Sequence, residues 1–271
     1  MGGSLTWHVP DDARYLEPGY YDDAGTVELG LTTGVTDQVN GWSLAARLGA
    51  AGGLAYNPDG LAAATGRTDL DPVYGRGTLE LEARRGLGAA APGRPPRWGC
   101  AFRLFGGVST SGASAVKQRQ VYVAGADPLE RFGNPFLRSD GALLVRPDMN
   151  YHAPGGGNLR GFDPRLSADG LVAVNLELER TVFQRRGGHL FNRVGLALFG
   201  DAGHTFDDRA PDRLLADAGV GLRIEHRIGQ TRFTTRADLP LLVNRPALAQ
   251  DTHPGADKAG FRWTFSFSPA F

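Results

Sequence analysis

Apolar side chains recur at every second position along most of this chain, and a backbone that repeats with period two can only be a strand. The last eleven residues are the clearest run. Phe261, Trp263, Phe265, Phe267 and Phe271 fall on one face, and Arg262, Thr264, Ser266 and Ser268 on the other. A helix would scatter those aromatics around its circumference. The same alternation marks 25–35, 41–53, 73–86, 97–109, 117–125, 171–182, 193–203, 218–228 and 231–241. With the C-terminal run this predicts ten strands, each about nine to fourteen residues long, against a usual five or six in water-soluble sheets. Strands that cross a bilayer need roughly nine to eleven residues, with apolar and polar positions alternating. The expected fold class is therefore all-β, an antiparallel transmembrane β-barrel, with a soluble sandwich as the competing architecture. The second face of nearly every strand is charged, through Arg47, Arg76, Glu80, Glu82, Arg84, Arg103, Glu177, Asp201, Arg223, Glu225, Arg232, Arg236 and Asp238. That suits a wet or salt-bridged lumen.

Composition removes other classes. The 29 basic and 29 acidic residues cancel, which argues against a nucleic-acid partner. One cysteine, Cys100, leaves no internal disulfide and no cysteine-based zinc site. Glycine, at 39 of 271 residues, is roughly double ordinary usage and disfavours helical bundles. No stretch approaches the roughly 18 consecutive apolar residues of a membrane helix. Met1 to Thr6 has neither the basic nor the apolar region of a signal peptide. Residues 1–23 read as an irregular N-terminal segment ahead of a barrel region at 24–271.

Outer-membrane barrels have short periplasmic turns and long outer loops. With the C-terminus placed in the periplasm, the outer connections are 243–260, 204–217, 126–170, 87–96 and 36–40. The periplasmic ones are 229–230, 183–192, 110–116 and 54–72. The pattern holds except at 54–72, which is too long for its side. Trp42, Trp98 and Trp263 then fall near the outer ends of their strands, as an aromatic belt would.

The 126–170 segment is the longest irregular stretch, and a connection of that length in a compact domain is usually functional. It ends in Leu159-Arg160-Gly161-Phe162. Glu177 follows on the polar side of the next strand, and Phe199, Asp201 and Gly203 follow on the one after. A loop folded into the lumen could bring Arg160 against either carboxylate, where its planar fork makes two parallel hydrogen bonds. Gly161 would let the backbone approach the wall closely. The alternative is a solvated loop arginine.

These motifs, in this order, resemble the outer-membrane assembly-factor superfamily, also called bacterial surface antigens, a group that includes BamA/TamA-like insertases and two-partner secretion translocators. The resemblance covers about residues 117–271. It implies a loop tetrad at Leu159, Arg160, Gly161 and Phe162 locked against Glu177, Phe199, Asp201 and Gly203. It also implies an assembly signal in Trp263, Phe265, Phe267 and Phe271. Further implications are a sixteen-stranded barrel of which this chain is the C-terminal portion and a bacterial outer-membrane location. The partners implied are outer-membrane lipid, the barrel-assembly machinery and unfolded outer-membrane client proteins. The function implied is insertion or translocation of proteins at the outer membrane. A passive membrane-anchor barrel for a longer protein, enzymatic or not, and a soluble all-β binding protein stand as alternatives.

No catalytic residue, cofactor or metal is expected. No phosphate loop, dinucleotide fingerprint or nucleophile elbow occurs, and no two of the six histidines are four apart. Glu80 and Glu82, flanked by Arg76 and Arg84, read as a charge ladder rather than a glycosidase pair. Cys100 sits on the apolar face beside Phe102 and reads as a small hydrophobe.

Overall fold

The computed structural model describes residues 2–7, 25–56, 73–88, 96–109, 120–125, 155–163, 166–185, 191–206, 213–228, 230–249 and 257–268. They form an all-β, antiparallel structure. The main sheet has ten strands: β1 (Gly2–Trp7), β2 (Gly25–Val39), β3 (Trp42–Tyr56), β4 (Val73–Leu87), β5 (Trp98–Ser109), β8 (Gly170–Gln184), β9 (Arg193–Phe206), β10 (Arg213–Ile228), β11 (Thr231–Val243) and β12 (Thr264–Ser268). Each pairs with the next in that order. Two short strands, β6 (Val121–Tyr122) and β7 (Ser167–Ala168), pair with each other outside it. Among the described residues, the edge strands β1 and β12 do not pair with one another.

Local chemistry sets the hairpins. Asn40 and Gly41 both have positive φ and join β2 to β3 through a two-residue turn, with Val39 opposite Trp42. Asn-Gly adopts such a turn at little steric cost, and its twist matches that of the flanking strands. Pro240 interrupts β11 where the register against β10 slips between Ala218 and Gly219. A bulge is where a sheet tolerates a residue without an N–H.

Two expectations are corrected. Of the stretch 117–125 read as a wall strand, the described residues 120–125 do not supply a strand of the main sheet. Val121 to Gly125 are all buried, because this stretch lies under the 155–163 segment instead of forming a two-faced wall. Alternation of Val121 and Val123 cannot distinguish those two situations. Conversely, Gly2–Trp7, inside the segment read as irregular, is a strand on β2. Its six residues are too few and too glycine-rich to show a period.

Removing one strand from the middle reverses the sides of every connection upstream of it. One end of the sheet now carries 40–41, 88–97, 185–192 and 229–230, and the other carries 8–24, 57–72, 110–169, 207–212 and 244–263. The anomalous 57–72 connection thereby joins the long-loop end. Trp42 and Trp98 move to the short-turn end, apart from Trp263.

The two faces differ sharply. One exposes Leu29, Leu31 and Val35 of β2, Leu44 and Leu48 of β3, Leu79 and Leu81 of β4, Phe102 of β5, Leu176 and Leu178 of β8, and Leu196 and Leu198 of β9. The other carries the charges in its middle. Toward the long-loop end it turns apolar, with Phe105, Leu171, Ala173, Leu215 and Val243. Onto that patch fold Val121, Val123, Ala124, Leu159 and Phe162, making the hydrophobic core.

Candidate functional site

The returning loop is fastened first by its backbone. Gly157 and Leu159 donate to the carbonyls of Tyr122 and Val123, and Asp163 donates to that of Leu248. Asn158 and Gly156 adopt left-handed conformations that make the tight turn. Two wall side chains then clasp it. Arg103 donates to the Gly156 carbonyl at 2.7 Å, and Asn175 to those of Gly157 and Asn158 at 3.2 and 3.0 Å.

That grip drives Arg160 into the wall, where it is fully buried. Its Nε and Nη2 donate to the two oxygens of Asp201 at 2.8 and 2.9 Å, a bidentate fork. Its Nη1 donates to Glu177 Oε2 at 2.8 Å. The guanidinium carbon lies 3.8 Å from the centre of the Phe199 ring, which floors the site. Burial alone would favour the neutral side chain. Asp201, and after it Asp238 and Glu177, outweigh burial and hold Arg160 charged well above the usual arginine range.

Glu177 is a hub. Arg223 donates to both its oxygens at 2.9 and 2.7 Å, and Arg236 to Oε2 at 2.9 Å. Asp238 lies 2.7 Å from Arg223 and 3.8 Å from Arg160. Three guanidiniums (Arg160, Arg223, Arg236) thus meet three carboxylates (Glu177, Asp201, Asp238). Near neutrality is what lets so many charges leave water together. The network continues along the wall. Asn175 donates to Asp201 at 3.0 Å and accepts from Arg103 at 3.0 Å, Arg103 reaches Glu80 at 2.6 Å, and Glu80 accepts from Arg47 at 2.9 Å.

The apolar members set the fit. Leu159 lies against Gly203, where an added Cβ would meet both its methyls at 3.2 Å. A Cβ at Gly161 would meet Val243 at 2.7 Å and Asp217 at 2.8 Å. Phe162 is fully buried and bridges to Ala249.

Leu159, Arg160, Gly161, Phe162, Glu177, Phe199, Asp201 and Gly203 therefore converge on one place. Trp263 and Phe265 do not join them; they lie on the face of β12 opposite Arg262, Thr264 and Ser266, all buried. Phe267 is the register partner of Thr235 in β11, and Phe271 lies outside the described residues. Sequence reasoning placed Arg103, Asn175, Arg223, Arg236 and Asp238 on the polar face without connecting them to Arg160. Their signal is register. Arg223 pairs with Arg236 across β10 and β11, and two guanidiniums side by side require a shared carboxylate.

The arrangement can hold a loop: most of the polar groups around Arg160 are taken up by one another. Among the described residues, no group of three or more His, Cys, Asp or Glu is placed to hold a metal ion. No family model, curated protein or solved structure matches this chain.

Proposed function

We propose that the chain forms the membrane-embedded wall of an outer-membrane β-barrel of the surface-antigen type, with the 155–163 segment locked against its lumen face. The carrying observation is the exposed apolar face. Leu29, Leu31, Val35, Leu48, Leu79, Leu176, Leu196, Leu198 and Val220 form a band across neighbouring strands with no protein over it among the described residues. Water-soluble monomers rarely expose an apolar patch beyond a few hundred Å². Strands of 12 to 16 residues in β2–β5 and β8–β11 are long enough to cross a bilayer at a tilt. The charged opposite face suits a lumen.

In this reading the wall meets lipid on one side, and in lipid every strand edge must be paired. The role is that of the resembled family: insertion or translocation of proteins at the outer membrane. A passive anchor role competes, and the density of ion pairs supports it, because a lumen fastened this tightly favours one fixed state. Refolding the urea-denatured chain into phosphatidylcholine vesicles tests the membrane placement. Co-flotation with the vesicles that resists alkaline carbonate is expected, together with a faster-migrating unheated band in gel electrophoresis. Clean recovery from cells in the soluble fraction without detergent would overturn it. Strand-specific stimulation of the folding of a second barrel in those vesicles separates the insertase role from the anchor.

A further inference from the structure

We infer that the short-turn end of the apolar face binds an anionic phospholipid, with the phosphate held by Arg85 and Arg180 and an acyl chain lying in the groove below them. The assignment rests on the membrane placement proposed above. Strand parity puts two arginines on the face that is mostly leucine, valine and phenylalanine and whose one exposed acid among the described strand residues is Asp37. Arg85 pairs with Trp42 on one side and Cys100 on the other, and Arg180 pairs with Trp98. Both are exposed. Each guanidinium is stacked on a tryptophan, Arg85 at 5.6 Å from the Trp42 ring centre and Arg180 at 5.3 Å from that of Trp98. Among the described residues neither has a carboxylate partner. Every interior arginine of the lock has one, so these two are the departure.

Position fits the ligand. Trp42 and Trp98 open their strands, and the register sets Arg85 and Arg180 beside them, two residues from the end of β4 and four from the end of β8, at the level where indole rings and headgroups would meet. From the register, the two arginines stand about 12 Å apart, with Trp98 between them. Stacking fixes the plane of a guanidinium but leaves its N–H edge free, and that edge matches a phosphate. Directly below, toward the middle of the strands, is a groove of about 370 Å³. The small residues Cys100 and Gly200 leave room at its floor, and Phe102, Leu176, Leu178 and Leu198 line it. From Arg180 to Leu176 is four residues, roughly 13 Å along the strand, which carries a chain from headgroup level into the hydrocarbon. Arg84 and Arg193 at this end are taken up by Glu82 and Glu179, but Arg97, Arg185, Arg227 and Arg232 outnumber Asp37 and Glu225 there and leave a positive balance that favours anionic headgroups.

The test reads tryptophan quenching by lipids brominated on the acyl chain. A Trp7→Phe/Trp263→Phe background leaves Trp42 and Trp98 as reporters, refolded into vesicles of phosphatidylcholine with a minor fraction of brominated phosphatidylglycerol or brominated phosphatidylcholine. Quenching about threefold stronger with the anionic brominated lipid is expected at equal mole fraction, falling to parity in Arg85→Gln/Arg180→Gln. Equal quenching by the two lipids in the parent would overturn the anionic site while leaving membrane placement intact. A preference that survives the double substitution would overturn the assignment to these arginines. No quenching by either lipid would overturn the membrane placement itself.

Discussion

Arg160 has no water to fall back on, so its removal is costly in a way that most arginine removals are not. Arg160→Ala strips Asp201 of both fork hydrogen bonds and Glu177 of one of its guanidinium partners, leaving an unmatched buried carboxylate. Breaking one side of a buried pair costs about 3–5 kcal/mol. The urea midpoint of the refolded chain should fall accordingly. Arg160→Lys keeps the charge but not the fork, and should recover only part of the loss. Arg47→Ala is the comparison. Arg47 also touches a glutamate, at 2.9 Å, but its side chain is 58% exposed, so its removal should cost under about 1 kcal/mol. Equal midpoints for the Arg160 and Arg47 variants would remove the lock from the proposed function. Gly161 makes a second contrast. A methyl there meets Val243 and Asp217 inside 3 Å, whereas a methyl at Gly106 meets nothing within 4 Å. Gly161→Ala should destabilise by about 1–3 kcal/mol through overpacking, and Gly106→Ala should leave the midpoint in place. A neutral Gly161→Ala would show that the loop can withdraw from the wall at little cost.

Strands were legible where one side chain in two is apolar and the other meets charge, because the pleat copies that rule directly into sequence. Val172, Leu176 and Leu178 against Asn175, Glu177 and Glu179 could be assigned to faces without coordinates. The rule failed where both faces are covered: Val121 and Val123 alternate like a wall strand but are buried on all sides. It failed again at Gly2–Trp7, where glycine carries no side chain to show a period. One misassigned element then reversed the sides of every earlier connection, since parity accumulates along an antiparallel meander. The site was half legible for a related reason. Arg160, Glu177 and Asp201 could be paired by chemistry alone, but Arg223, Arg236 and Asp238 required the register between β8 and β11. Assignment of faces can be tested within one strand. Leu31 and Thr32 are neighbours in the middle of β2, both exposed, Leu31 on the apolar face and Thr32 on the other. Arginine on a lipid-facing position near the midplane costs about 2–4 kcal/mol, and on the lumen side far less. Leu31→Arg should therefore cut the yield of folded protein in vesicles severely, and Thr32→Arg should not. Comparable yields would mean that the apolar face does not meet lipid.

At the scale of the whole molecule, a membrane wall makes a demand that no local contact makes: each strand must carry the chain from one side of the bilayer to the other. Connections of two, ten, eight and two residues at one end stand against 17, 16, 60, six and 20 at the other, an asymmetry of the kind such a wall would show, with 207–212 as its exception. Length alone does not locate a bilayer, because a soluble meander could be built with the same asymmetry. Accessibility can. Gln230 lies in the turn between β10 and β11, and Ala247 in the short 3-10 turn between β11 and β12, so β11 separates them. Both are exposed. Single Gln230→Cys and Ala247→Cys variants in a Cys100→Ala background, refolded into sealed vesicles, can be challenged with a membrane-impermeant maleimide. If β11 crosses the bilayer, whatever fraction of molecules labels at one position must be protected at the other. The two labelled fractions should then sum to one for any mixture of insertion orientations, and both should become complete in detergent. A sheet lying on the vesicle surface, or free in solution, would label fully at both positions before detergent is added. That outcome would leave the apolar face covered by something other than lipid, and it would do so without disturbing the Arg160 site, whose geometry depends on register and burial rather than on which solvent lies behind the wall.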